Sequence, residues 1–135
     1  MGKIDDACKE IVNKVDGAVA AGVVDLDTGM LLGIHNSAQY TQTLNEIVAA
    51  ACMDLFRGSN IARIEQMVRQ HRGVPENGEH YFQKIQVTSE NNYHFAKVLK
   101  KGRAVIMLVT KKTTNIGMGW AQLKSMVPTI EPLVP

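Results

Sequence analysis

The feature that most limits how this chain can fold is the run Ala104-Val105-Ile106-Met107-Leu108-Val109. These six apolar residues lie between Arg103 and the polar cluster Thr110-Lys111-Lys112-Thr113-Thr114-Asn115. A short run without polar alternation reads as a strand buried on both faces, since successive side chains point to opposite sides of a sheet. Such a strand needs a covering layer above and below. The following residues supply one, because Ile116, Trp120, Leu123, Val127 and Ile130 recur at helical spacing. Thr114 or Asn115 is placed to cap that helix, and Pro128 and Pro132 limit its end. A core strand feeding an amphipathic helix carries no evident catalytic group, which points to function on a surface rather than in a cleft.

The remaining elements follow from the same two periodicities. Ile4, Ala7, Cys8, Ile11, Val12 and Val15 form the apolar stripe of a first helix that ends at Asp16-Gly17. Residues 18 to 24 are small and apolar, as in a central strand. Asp25-Leu26-Asp27-Thr28-Gly29 is turn chemistry, and Met30 to Ile34 returns as the second strand of a hairpin. A long helical pattern then runs from Thr41 to Arg72, capped by Thr41 or by Thr43 with Glu46, and Gly58-Ser59 is placed to kink or split it. Leu44, Ile47, Val48, Ala51 and Leu55 make its main stripe; Ala49, Ala50, Met53 and Phe56 are apolar at right angles to it. A helix apolar on two faces has two surfaces to cover, its own sheet and a second copy of itself.

After a loop at Gly73–Glu79 come three strands: Tyr81 to Thr88, His94 to Leu99 and Arg103 to Val109. The first alternates Gln83, Ile85 and Val87 with Lys84, Gln86 and Thr88, so one face is wet and the strand suits a sheet edge. The order α-β-β-α-β-β-β-α predicts an α+β sandwich, a five-stranded antiparallel sheet with helices on both faces. At 135 residues the chain is read as one domain, 1–135, within the usual ~100–200 residues per core.

Several activities lack their chemistry. Asp27-Thr28-Gly29 matches the aspartic-protease triplet, but that mechanism shares a proton between two such Asp, and there is no second copy. No Gly-x-x-x-x-Gly-Lys-Ser/Thr is present to cradle a nucleotide phosphate. Gly117-x-Gly119 is half a dinucleotide fingerprint, and close helix–sheet packing explains both glycines more simply. His35, His71, His80 and His94 have no metal-ligand spacing, although His35 and His94 lie on strands that could meet. Cys8 and Cys52 fall on apolar helical stripes and read as small buried hydrophobes. No enzyme activity, cofactor or metal is expected.

Charge is divided unevenly. Residues 1 to 56 carry eight acids against three lysines, a balance of −5, while residues 91 to 135 carry seven bases against Glu131, a balance of +6. Lys97, Lys100, Lys101, Arg103, Lys111 and Lys112 flank two strands as a candidate surface for an acidic partner. Few aromatics are interleaved with them, which argues against nucleic acid. No stretch approaches the ~20 apolar residues of a membrane span. Acids stand where a secretory signal would be apolar, so a cytoplasmic location without membrane insertion is expected.

Gly17-Ala18-Val19 opening a strand, Asp27-Thr28-Gly29-Met30 at the first hairpin and Asn115-Ile116-Gly117 opening the last helix resemble the roadblock/LC7 family, over about residues 3 to 131. The resemblance implies a profilin-like fold and a non-enzymatic dimer whose third strands pair into a ten-stranded sheet, with the long helices packed together. It implies a scaffold or regulator of a Ras-like small GTPase, in bacteria one that stimulates GTP hydrolysis. The expected homodimer interface is then Ala49, Met53 and Phe56 on the helix with Phe82, Ile85 and Val87 on the strand. A light-chain-like adaptor or a small-ligand-sensing domain is the alternative. The loop with Pro75 departs from the family pattern and bears on where the edge strand lies.

Overall fold

The computed structural model describes residues 2–37, 41–75, 80, 82–99 and 102–135. Its elements are α1 (Lys3–Lys14), β1 (Ala18–Asp25), β2 (Leu31–Asn36), α2 (Gln42–Arg57), α3 (Ser59–Arg72), β3 (Lys84–Thr88), β4 (Asn92–Val98), β5 (Ala104–Lys111) and α4 (Ile116–Ile130), closed by a short 3-10 turn at Glu131–Leu133. The strands form one sheet in the order β2-β1-β5-β4-β3, with every pairing antiparallel. The apolar run Ala104–Val109 lies in the middle strand, β5, and β3 lies at one edge.

Alternation along β5 builds two cores. Ala104, Ile106 and Leu108 face α1 and α4, where Cys8, Ile11, Val23, Phe95, Leu123 and Ile130 complete a buried cluster. Val105 faces α2 and packs with Val24, Leu26, Ala49, Cys52, Phe56 and Ala96. Each apolar side chain taken fully from water contributes roughly 1.5–3 kcal/mol, so a strand that serves both layers holds them together.

Local chemistry fixes the helix ends. Thr41 Oγ1 accepts the Leu44 N–H at 3.1 Å and starts α2. Asn115 Oδ1 accepts the Met118 N–H at 3.0 Å and starts α4. That helix runs through Pro128 to Ile130, past the stop that the proline suggests. Among the paired glycines, Gly119 is the one required by packing: a Cβ there would sit 2.8 Å from the Phe95 ring. Gly117 is exposed, so close packing does not explain it.

The long helical pattern is two helices. Gly58 takes an extended backbone, φ −59° and ψ 157°, between α2 and α3. A Cβ at this position would lie 2.5 Å from the Asp54 carbonyl oxygen, which makes glycine the residue that allows the chain to break here. The observed order is therefore α-β-β-α-α-β-β-β-α. The third strand, read from Tyr81, begins at Lys84, and Tyr81 itself lies outside the described residues. Among the described residues, no helix is long and apolar enough to cross a membrane.

Candidate functional site: an exposed helical face, an open strand edge and a basic cleft

The two apolar faces of α2 are arranged in the reverse of what their spacing suggested. Ala49, Cys52 and Phe56 point into the core, with Phe56 wholly inaccessible. The stripe Leu44, Ile47, Val48 and Leu55 faces outward, with Ile47 61% exposed. The deciding factor is fit. One full aromatic and two small residues match the hollow over Val24 and Val105, whereas a row of branched side chains would hold the helix off the sheet.

Helix α3 goes further, burying its charged Glu65 and Arg69 while Ile64 and Met67 stand in solvent. The Glu65 carboxylate lies 2.9 Å from His80 Nδ1, which ties α3 to the segment before β3. Soluble chains that stand alone seldom leave this much branched apolar surface in water.

Of the six residues expected at a dimer interface, Ala49 and Phe56 therefore belong to the chain's own core. Met53 is half-buried, its Sδ set against Gly29. Phe82 and Ile85 are half-buried against the α2-side core, and Val87 is exposed on β3. Strand β3 bonds to β4 along one side, in the register Lys84 with Lys97 to Thr88 with Tyr93. No strand lies along its other side among the described residues.

The expected basic surface divides in two. Lys97 and Arg103 line a cleft of about 830 Å³ together with Arg57, His80, Lys124 and Asp27. Lys111 and Lys112 are exposed at the far end of β5, away from it. Lys100 and Lys101 lie outside the described residues. Arg57 forms the inner wall, its guanidinium donating to the Gly102 carbonyl at 2.8 Å and to the Phe56 carbonyl at 3.1 Å. Burial lowers its pKa from the ordinary value, and the Glu65 and Asp27 carboxylates oppose that shift. Arg57, His80 and Lys124 were not anticipated in this role. A basic residue closing α2 is visible in the sequence, but its meeting with the β4–β5 turn depends on the fold.

Other candidates are separated by the sheet. His35 on β2 and His94 on β4 have β1 and β5 between them, so they do not meet. His94 Nε2 instead pairs with Ser89 Oγ at 2.9 Å. No group of three or more His, Cys, Asp or Glu suited to a metal ion occurs among the described residues. Cys8 and Cys52 are buried free thiols, pushed up by desolvation to about 12 and about 11, with Asp5 adding to the shift at Cys8. Both remain protonated at neutral pH and are poor nucleophiles. Asp27-Thr28-Gly29 is a turn in which Asp25 Oδ1 accepts the Asp27 and Thr28 N–H groups.

The chain has the roadblock/LC7 fold. A roadblock/LC7 domain from Streptomyces avermitilis superimposes with a TM-score of 0.72 at 12% identity, covering 98% of each chain. MglB of Myxococcus xanthus superimposes with a TM-score of 0.68 at 18% identity, covering 98% of this chain and 91% of that one. Schizosaccharomyces pombe profilin shares the architecture more loosely, with a TM-score of 0.56, 11% identity and coverage of 98% and 96%. No protein-family model and no curated protein matches the sequence.

Proposed function

We propose that this chain is a non-enzymatic interaction module that forms a homodimer and scaffolds or regulates a Ras-like small GTPase. The observation that carries the reading is the outward apolar face of α2 and α3: Leu44, Ile47, Val48, Leu55, Ile64 and Met67 all stand exposed. About half of each side chain is still in water, so covering each contributes on the order of 1 kcal/mol, and two copies of the stripe together offset the cost of association. The open side of β3 beside it offers backbone donors and acceptors for a second strand. This revises the interface to the exposed stripe together with Met53, Phe82, Ile85 and Val87. The family resemblance supports a GTPase as the further partner, and the cleft of Arg57, Lys97, Arg103 and Lys124 suits an acidic surface.

Sedimentation velocity tests the dimer. The protein is expected to run as a dimer at micromolar concentration, and Ile47→Asp to run as a folded monomer. A wild-type monomer across that range would overturn the reading. For the GTPase, hydrolysis and nucleotide exchange by a candidate Ras-like protein should change when the chain is added, and less so with Lys97→Glu and Lys124→Glu together.

A further inference from the structure

Helix α2 fills the space beneath it along only half its length. Under its C-terminal half, Phe56 packs against Leu26 and Val105 and closes the gap. Under its N-terminal half, the partly exposed Leu44 and Val48 form the outer rim of a space whose floor is made by small residues of β1, Ala20 and Gly22. A cavity of about 310 Å³ remains between helix and sheet, walled on the β5 side by Met107 and Val109. The β1 sequence causes it: at Gly22 an added Cβ would make ordinary contacts, 3.4 Å to the Gly33 carbonyl oxygen and 3.6 Å to Leu31 Cδ1. Main-chain crowding therefore does not demand glycine at this position, and its effect is to leave the floor low.

The polar groups at the edge of the cavity are few and neutral. Asn45 Oδ1 accepts from the Asn36 amide at 3.4 Å. Asn92 donates one amide N–H to the Thr110 carbonyl at 3.1 Å. His94 bonds Ser89 through Nε2. Each retains a second hydrogen-bonding atom, and burial lowers the His94 pKa, which favours the uncharged imidazole. Among the described residues no Asp, Glu, Lys or Arg lines the space, in contrast to the cleft at the other end of the sheet. An apolar cavity of this size, open to solvent on one side and edged by a few neutral polar groups, has the build of a small-molecule site, at the lower end of the usual ~300–1,000 Å³.

We propose that the cavity between the N-terminal half of α2 and the sheet binds a small, uncharged, largely apolar molecule that takes one hydrogen bond from the Asn45, Asn92 and His94 edge. The lining residues come from one protomer, and Leu44 and Val48 at the rim also belong to the face offered to a second copy. Charge selects the occupant: a carboxylate or phosphate would be desolvated here with no cation to pair it.

The uncharged fluorophore N-phenyl-naphthylamine, titrated into the full chain, tests this. Saturable binding at one site per protomer is expected, unchanged by salt and kept in the monomeric Ile47→Asp variant. Anionic anilinonaphthalene sulfonate should bind about tenfold more weakly or worse. Ala20→Leu, which raises the floor, should weaken the neutral probe at least about tenfold with the circular dichroism spectrum unchanged. If that variant does not fold, Gly22→Ala fills less and should still weaken binding measurably. No saturable binding, or binding unaffected by either filling variant, overturns the site. Loss of binding in Ile47→Asp overturns it too, since the probe would then be reporting the face that a second copy covers.

Discussion

At the scale of single residues, position in the packed layers decides what a group can do. Cys52 has the atoms of a nucleophile and no access to water, and desolvation keeps its thiol protonated. His94 is shifted by the same cause, with its folded pKa below the ordinary 6.5. The unfolded chain therefore binds a proton at His94 more readily than the folded chain. Stability from this residue is complete above about pH 6.5 and is lost as pH falls from there through the lower folded value. Urea unfolding at about pH 7.5 and about pH 5.5 should show a smaller difference for His94→Gln than for wild type. An equal difference would mean that His94 titrates alike in both states.

Among the elements, α2 shows how spacing alone underdetermines orientation. Its composition makes two apolar faces, and periodicity records both without ranking them. The sheet ranks them, because the hollow over Val24, Ala96 and Val105 accepts Phe56 and not a row of branched residues. Phe56→Ala should accordingly destabilise each protomer by about 3–5 kcal/mol through the cavity it leaves. Thermal unfolding of the monomeric Ile47→Asp background measures this free of dimer linkage. A small effect there would place Phe56 at the surface after all. The split at Gly58 is a related case: glycine and serine mark a breakable point, and the close approach of the Asp54 carbonyl is what fixes a break there.

Across the whole molecule the charge asymmetry acquires a location. Along the chain, the positive balance of the C-terminal third reads as one surface. The sheet instead sends Lys111 and Lys112 to one end of β5, and gathers Lys97 and Arg103 with Arg57 and Lys124 at the other. If the cleft receives an acidic partner, association should slow steeply as salt rises from about 0.05 to about 0.5 M, where screening shortens to a few ångströms. Reversing Lys97 and Lys124 should slow it, whereas reversing Lys111 and Lys112 should change little. Stopped-flow mixing with the candidate GTPase reads both, and equal slowing by the two pairs would remove the cleft from the proposal.

Strand Ala104–Val109, the starts of α2 and α4 to within a choice of two capping residues each, the β1–β2 hairpin and the edge character of β3 were legible in the sequence, because each rests on contacts or hydrogen bonds between residues near in the chain, or on burial of a whole segment. From them the sandwich follows. The outward face of α2, the buried Glu65 and Arg69, the separation of His35 from His94, the basic cleft and the empty half beneath α2 were decided only by tertiary structure. Each depends on which of several chemically permitted neighbours reaches a position first and fills it, and that is a property of volumes in three dimensions rather than of order along the chain.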